Sequence, residues 1–203
     1  MGTRLLIAVL ACSCLQAQII EFESNGQRYK TLTRGGVTLM FAQLPSHVRD
    51  YSIIQVAISN GSPVSWTVRP EDFSFQRQDG PIAQAAPALT VVNSLISKAG
   101  RADVIKLVSA YEAGVYGANM KTTNGYEIRR QNFLAEVSST RLKAAAAASA
   151  IALVSTKLNP GESTDGAVFF PNAGKALGPG KLFVHTAGEN FEFPLEEEPN
   201  SPH

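Results

Sequence analysis

Two stretches of this chain alternate apolar and polar residues with a period of two, and this pattern restricts the fold most. The first stretch is 28–82, in which Val37, Leu39 and Phe41 alternate with Thr38, Met40 and Ala42. The second stretch covers 156–195. A period of two places the apolar side chains on one face of a strand. Asn-Gly, Asp-Gly and Pro-Gly turns punctuate both stretches, which is typical of antiparallel strands. The sequence therefore predicts a mainly β fold.

Between these stretches, residues 83–155 change to helical spacing. Leu89, Val92 and Ile96 recur three and four residues apart, and Gly100 is expected to separate two helices. From residue 129 onward a longer stripe follows steps of four and three, as in the seam of a packed helix. Its members are Phe133, Val137, Thr140, Ala144, Ala147, Ile151, Val154 and Leu158. A Gly- and Asn-rich connection over 114–127 predicts that these segments form a helical hairpin.

The alternating stretches together contain 95 residues, close to the ~100 of an immunoglobulin-type sandwich. Neither stretch can bury both of its faces alone, so we expect the two to pair across the insert. The prediction is a single domain over 18–195, an antiparallel immunoglobulin-like β-sandwich that carries a helical hairpin over 83–155. Residues 196–203 have no apolar anchor and are expected to form a solvated tail.

The first 17 residues have the order of a secretory signal peptide. Arg4 precedes an apolar run from Leu5 to Ala11, and small residues lead to Ala17, which predicts cleavage after that residue. The same stretch also fits a lipoprotein box in which Cys12 is lipidated, so soluble export and a lipid anchor both stay open. Both cysteines of the chain lie in this segment, so cleavage after Ala17 would leave no cysteine for a disulfide framework.

Charge and hydropathy narrow the choice of partners. The net charge is +1, which argues against nucleic-acid binding. The apolar run of residues 144–154 is shorter than the ~20 residues of a membrane span. Residues 83–155 carry a net charge of +4 and the rest of the chain −3, so the insert could attract an anionic envelope component or dock on its own sandwich. The partner is expected to be a protein or an envelope component.

Residues that could carry catalysis or bind a metal are scattered along the sequence. Ser163 does not lie in a nucleophile elbow, and His47, His185 and His203 have no second ligand at metal spacing. We therefore predict no enzyme activity, no cofactor and no metal site. The triplet that begins at Asn60 matches a glycosylation site but is interpreted as a hairpin turn.

Two sets of aromatic residues are candidates for a binding surface. Trp66, Phe73 and Phe75 alternate with Ser and Thr and are assigned to the sandwich core rather than to a ligand platform. The connection of the helical hairpin is the better candidate, because Tyr, Gly and Asn are the residues that binding loops favour. Its partner-binding residues would be Tyr111, Tyr116, Asn119 and Tyr126, although an ordinary glycine-rich turn needs similar residues.

Three stretches resemble a known group: DYSIIQVAISNGSPVSWTVRPEDFSFQRQDG, LNPGESTDGAVFF and GENFEFPL. They are similar to the secreted immunoglobulin-like β-sandwich domains of bacteria, typified by the mycobacterial immunoprotective antigen and related uncharacterised lipoproteins. The group's pattern is a strand that ends in Asn and a small turn residue, followed later by a Pro-Gly-Glu turn. Asn60, Gly61, Pro160, Gly161 and Glu162 occupy those places. The resemblance implies the fold and no catalytic residue.

Taken together, these patterns favour an exported, non-enzymatic binding or cell-envelope accessory module, periplasmic or secreted. The alternative is a periplasmic structural component that self-associates through its alanine-rich helix, Ala144–Ala148.

Overall fold

The structure is a computed structural model, and it describes residues 18–24, 27–78, 80–100, 102–103, 144–145, 147–148, 151–172 and 177–196. A helix, α1, spans Ala88–Lys98, and a 3₁₀ turn spans Pro70–Asp72. The strands of this part of the chain are β1 (Ile20–Ser24), β2 (Gln27–Arg34), β3 (Val37–Val48), β4 (Tyr51–Asn60), β5 (Trp66–Val68), β6 (Phe73–Arg77), β7 (Ile82–Gln84), β8 (Thr156–Leu158), β9 (Ser163–Pro171), β10 (Gly180–Thr186) and β11 (Glu189–Leu195).

The strands form two main sheets. The first has the order β1-β2-β3-β4-β9 and the second the order β11-β10-β6-β7, while β5 and β8 make a small separate pair. All paired strands are antiparallel. Because β9 lies beside β4, and β10 lies beside β6, the two alternating stretches of the sequence pair with each other across the insert. The prediction of a mainly β, antiparallel fold is confirmed.

The inner faces of the two main sheets share one hydrophobic core. Phe41 on β3 meets Phe193 on β11 edge to face, with ring centroids 4.9 Å apart. Phe75 on β6 meets Phe170 on β9 in the same manner at 6.2 Å. Phe73 and Phe75 are buried in this core, which confirms their assignment to the core.

A second core lies on the outer face of the first sheet. Helix α1 packs there beside the alanine run, against Ile53 and Phe169. The members of the alanine run that the structure describes are all buried: Ala144, Ala145, Ala147 and Ala148. Strand β4 consequently has a buried side chain at nearly every position, including Gln55, which the alternating pattern had placed on a polar face.

The helical stripe of α1 differs from the predicted one. Leu89 and Ile96 are exposed, whereas Val91 and Leu95 are buried against the sheet. The buried pair belongs to the set 88, 91, 92, 95 and 99, which has the i, i+3, i+4, i+7 spacing of one helix face. The sequence offers apolar residues on more than one face, and the sheet selects the face that also carries alanines.

The end of the second predicted helix also needs correction. Ile151 is the last helical residue, Ala152 forms a bridge with β9, and Leu158 lies in β8. The predicted seam therefore extended too far, since Val154 and Leu158 follow the helix. Leu158 is nevertheless buried, because it pairs with Trp66 on β5 and joins the first core. Within the described ranges, no helix is both long and apolar enough to cross a membrane.

The predicted hairpin turn at Asn60 is wrong. Strand β4 pairs with β3 and β9, and the chain leaves the first sheet at this residue to form β5. The Asn60 side chain is fully buried and holds this crossing: its Nδ2 donates to the carbonyls of Val64 and Leu158, at 2.8 and 3.0 Å. Its Oδ1 accepts hydrogen bonds from the main-chain N–H and the hydroxyl of Ser62. An amide so enclosed is a structural clamp rather than a glycosylation acceptor.

Candidate functional site

The residues that the sequence singled out for partner binding are Tyr111, Tyr116, Asn119 and Tyr126, and they lie outside the described residues. Cys12, the predicted lipidation site, lies outside them as well. The leader, the tip of the insert and the partners that depend on them therefore stay predictions. In the described part of the chain, the candidate binding surfaces are the edges of the two sheets, because unpaired main-chain groups at an edge can pair with another strand.

The β9 edge of the first sheet is covered by the chain itself. The main-chain N–H of Ala86 donates to the carbonyl of Phe169 at 2.8 Å, and that of Leu153 donates to Ala167 at 2.8 Å. These contacts come from the two ends of the insert, 83–155. A further strand therefore finds the carbonyls of Ala167 and Phe169 at this edge already occupied.

The β11 edge of the second sheet is protected by long basic side chains from the first. Lys30 Nζ donates to the carbonyl of Pro194 at 2.8 Å, and Arg34 Nη1 donates to the carbonyl of Asn190 at 2.7 Å. Pro194 also lacks the N–H that a neighbouring strand would need. The opposite edge of this sheet is β7, which has three residues, too few to template a long pairing.

Strand β1 differs from these edges. It pairs with β2 on one side, from Ile20 opposite Thr31 to Ser24 opposite Gln27, and no other described strand pairs with it. Four of its five residues are exposed, with Ile20 at 60% and Phe22 at 40%. Alternate residues of an edge strand direct their N–H and C=O groups away from the sheet. Strand β1 therefore offers main-chain hydrogen-bonding groups to a partner.

One face of β1 is apolar and aromatic. Phe22 stacks on Tyr29, its cross-strand neighbour, with ring centroids 5.3 Å apart and an angle of 14° between the rings. Tyr29 is almost fully buried, and this burial raises the pKa of its hydroxyl, which keeps the group neutral over the physiological range. The Tyr29 ring thus packs against one side of the Phe22 ring, while Phe22 remains partly exposed to solvent.

The other face of β1 is charged. Glu21 and Glu23 lie opposite Lys30 and Arg28 in the strand register. Lys30 Nζ lies 2.8 Å from Glu21 Oε1 and at the same time donates to the carbonyl of Pro194 on β11. The Glu21 side chain is still 60% exposed, so this ion pair leaves the carboxylate accessible from the open edge.

A groove lies beside this charged face, lined by β1, β2 and the end of β11. Its volume is about 460 Å³. Gln27 Nε2 fixes one wall by donating to the carbonyl of Gln43 at 2.8 Å. The lining residues are Glu21, Phe22, Glu23, Gln27, Arg28, Tyr29, Lys30, Phe41, Gln43, Leu195 and Glu196. Carboxylates, the two basic side chains of Arg28 and Lys30, and apolar side chains therefore line it together.

The residues considered for catalysis or metal binding are not brought together where the structure describes them. Ser163 begins β9, His47 lies on β3, and His185 on β10 is bonded through Nδ1 to the Asn190 side chain at 2.7 Å. His203 lies outside the described residues. Among the described side chains, no group of three or more His, Cys, Asp or Glu is arranged to hold a metal ion.

Comparison with known proteins gives no relative for this chain. No family model, no curated protein and no solved structure matches it. The resemblance to immunoglobulin-like secreted domains therefore remains a prediction based on turn residues.

The sequence contains the signal of β1, although the predicted strands begin only at residue 28. Ile20 and Phe22 alternate with glutamates, and Asn25-Gly26 stands between this segment and β2. An Asn-Gly pair flanked by alternating apolar residues is a strong hairpin signal. This segment directly follows the predicted leader and lies before the alternating stretch 28–82.

Proposed function

We propose that this chain is an exported binding module of the cell envelope that acts by contact rather than by catalysis. Its frame would be an immunoglobulin-like sandwich, and its candidate surfaces are the β1 edge and the tip of the helical insert. The observation that carries the proposal is the open edge of β1 beside a groove of about 460 Å³. The leader pattern, with cleavage after Ala17 or lipidation of Cys12, supports an envelope location.

The burial of the alanine run favours this proposal over self-association through the same helix. Ala144, Ala145, Ala147 and Ala148 are each at most 5% exposed in a single copy of the chain. A second copy would have to displace the chain's own sheet to reach them. Light scattering of the purified protein tests this, because self-association through the alanines would give an oligomer that depends on concentration.

Export is tested by mass spectrometry of the N-terminus of the protein from its native host. A chain that begins at Gln18 supports soluble export, and a lipidated Cys12 supports an anchor. An uncleaved chain that begins at Met1 would overturn the envelope location.

Binding is tested by capture of envelope components with the immobilised protein and three variants. Phe22→Ala changes the β1 edge, Tyr116→Ala combined with Tyr126→Ala changes the insert, and Ile82→Ala is the matched control. Ile82 is 60% exposed on an edge strand of the other sheet. We expect the control to capture the same components as the native chain and at least one of the other variants to lose them. Unchanged capture by all of the variants would refute a binding role for both surfaces.

A further inference from the structure

We propose that β1 binds an extended peptide as an added strand, and that this peptide alternates basic with apolar residues. This inference rests on the proposed binding function and names the class of partner for one of its two surfaces. It starts from the contrast between the sheet edges. The β9 and β11 edges are occupied by bonds from Ala86, Leu153, Lys30 and Arg34, whereas β1 is exposed along most of its length.

A second copy of the chain does not fit this edge. In an antiparallel pairing of two β1 strands about Phe22, Glu21 of each copy would lie opposite Glu23 of the other. Like charges directly opposite each other across strands are destabilising. Charged side chains on an edge strand are also the usual protection against edge-to-edge association. The occupant must therefore differ in charge from β1 itself.

The register of β1 and β2 indicates which charge is needed. Glu21 faces Lys30 and Glu23 faces Arg28, so acidic and basic residues already alternate from strand to strand on this face. The next strand outward continues the pattern if it places lysine or arginine beside the two glutamates. Both glutamates also line the groove of about 460 Å³, together with Arg28 and Lys30, and its open volume leaves room for further long side chains.

The opposite face of the same strand selects apolar residues. Ile20 and Phe22 alternate with the glutamates, and both are exposed. A strand that presents basic residues to one face presents every other residue to the second face. Valine or a similar residue there would cover Phe22, which Tyr29 supports from the adjacent strand. Main-chain bonds then supply affinity, and the two faces supply specificity.

The test measures the affinity of the intact purified protein for two synthetic ten-residue peptides. One alternates lysine and valine, and the matched control alternates glutamate and valine. We expect the lysine peptide to bind about tenfold more tightly, since two favourable cross-strand pairs replace two repulsive ones. A double variant, Glu21→Lys with Glu23→Lys, should reverse the preference. Equal affinity of the native protein for the two peptides would overturn the proposal.

Two N-methylated forms of the lysine peptide distinguish strand addition from simple charge attraction. One carries N-methyl groups at the lysines and the other at the valines, so each blocks one of the two alternate sets of N–H groups. A peptide paired along one edge should lose binding with one form and keep it with the other. Equal effects of both forms would overturn strand addition, and this result uses the native protein, so it does not depend on the folding of a variant.

Failure of this inference is distinguishable from failure of the proposed function. If neither peptide binds but capture of envelope components depends on Tyr116 and Tyr126, the chain is a binding module that uses its insert. If the protein itself dimerises and the dimer is lost in Phe22→Ala, β1 pairs with a second copy, and the choice of a basic peptide is wrong.

Discussion

Replacement of Asn60 by alanine tests the clamp where the chain leaves the first sheet. The substitution removes all four side-chain hydrogen bonds of this residue: two donated to the carbonyls of Val64 and Leu158 and two accepted from Ser62. The main chain of Asn60 makes two further bonds to the turn before β9: its N–H donates to the carbonyl of Glu162, and its carbonyl accepts from the N–H of Gly161. These bonds do not depend on the side chain. The variant therefore isolates the contribution of the amide group.

The expected loss follows from the burial of the site. A neutral hydrogen bond contributes about 1 kcal/mol net, and a buried partner left without one costs about 1–3 kcal/mol. Asn60 is 0% exposed, and the bond to the Leu158 carbonyl lies in buried surroundings. Since the four bonds share two small groups, they do not add fully, and we expect a loss of about 3–4 kcal/mol. In a chain of this size that corresponds to roughly 10 °C in Tm.

Urea unfolding of the native chain and the variant, followed by circular dichroism, measures the difference. The matched control is Ser65→Ala in the same loop, which removes an exposed bond from Ser65 Oγ to Asn159 Oδ1 at 2.9 Å. The control should lose less than about 0.5 kcal/mol, because water replaces an exposed bond. If Asn60→Ala loses no more than the control does, the amide is not a clamp, and the account of this crossing is wrong.

Three further predictions concern packing and charge. Leu95 is fully buried and Leu89 on the same helix is 70% exposed. Leu95→Ala should therefore lower the free energy of unfolding by about 2–5 kcal/mol, and Leu89→Ala by less than about 0.5 kcal/mol. Equal losses in urea unfolding would contradict the packing of α1. Gly166→Ala places a Cβ 2.7 Å from the neighbouring main chain and should cost about 1–3 kcal/mol, whereas Gly100→Ala, with its nearest contact at 3.7 Å, should be nearly neutral in thermal unfolding. Glu162 lies in a turn that begins at Asn159. Hydrogen bonds from the main chain of Asn159, and to a smaller extent from its side chain, hold the pKa of the Glu162 carboxyl below its ordinary value of 4.5. A lowered pKa stabilises the fold at pH values above the ordinary pKa of the group, and this stabilisation is lost as the pH falls through the pKa of the folded state. Glu162→Gln should therefore lower Tm at pH 7 and match the native chain in strong acid, and a pH-independent difference would refute this.

The turn before β9 is a part of the fold that the sequence predicts correctly. The sequence predicts a turn at Pro160 and Gly161 before an apolar strand, which the structure shows as β9. The main-chain N–H of Glu162 donates to the carbonyl of Asn159 at 3.0 Å, and φ at Gly161 is 82°. Those values belong to a type II turn, in which proline and glycine are favoured at the two central positions. A turn of this kind depends on four consecutive residues, which is why it can be recognised without a structure.

Strand neighbours and buried faces are harder to predict, because they depend on distant residues. The alternation of Ile54 with Gln55 indicates a strand with one polar face. In the structure, α1 and the alanine run cover much of that face, and Gln55 donates to Asp165 on β9 at 3.4 Å. The apolar residues of α1 allow two helix faces, and the sheet decides between Leu89 and Leu95. In each case tertiary packing selects among patterns that the local sequence leaves equivalent.

The same packing explains why the candidate site on the first sheet is an edge rather than a face. The inner face of the first sheet is buried against the second sheet, and much of its outer face is buried under α1 and the alanines. The β9 and β11 edges are closed by bonds to Phe169 and Pro194. Only β1 among the longer edge strands described keeps exposed apolar side chains beside accessible carboxylates. Both faces of β4 are buried, whereas β1 keeps Phe22 and Glu21 exposed, so in the first sheet the edge rather than the centre offers side chains to a partner.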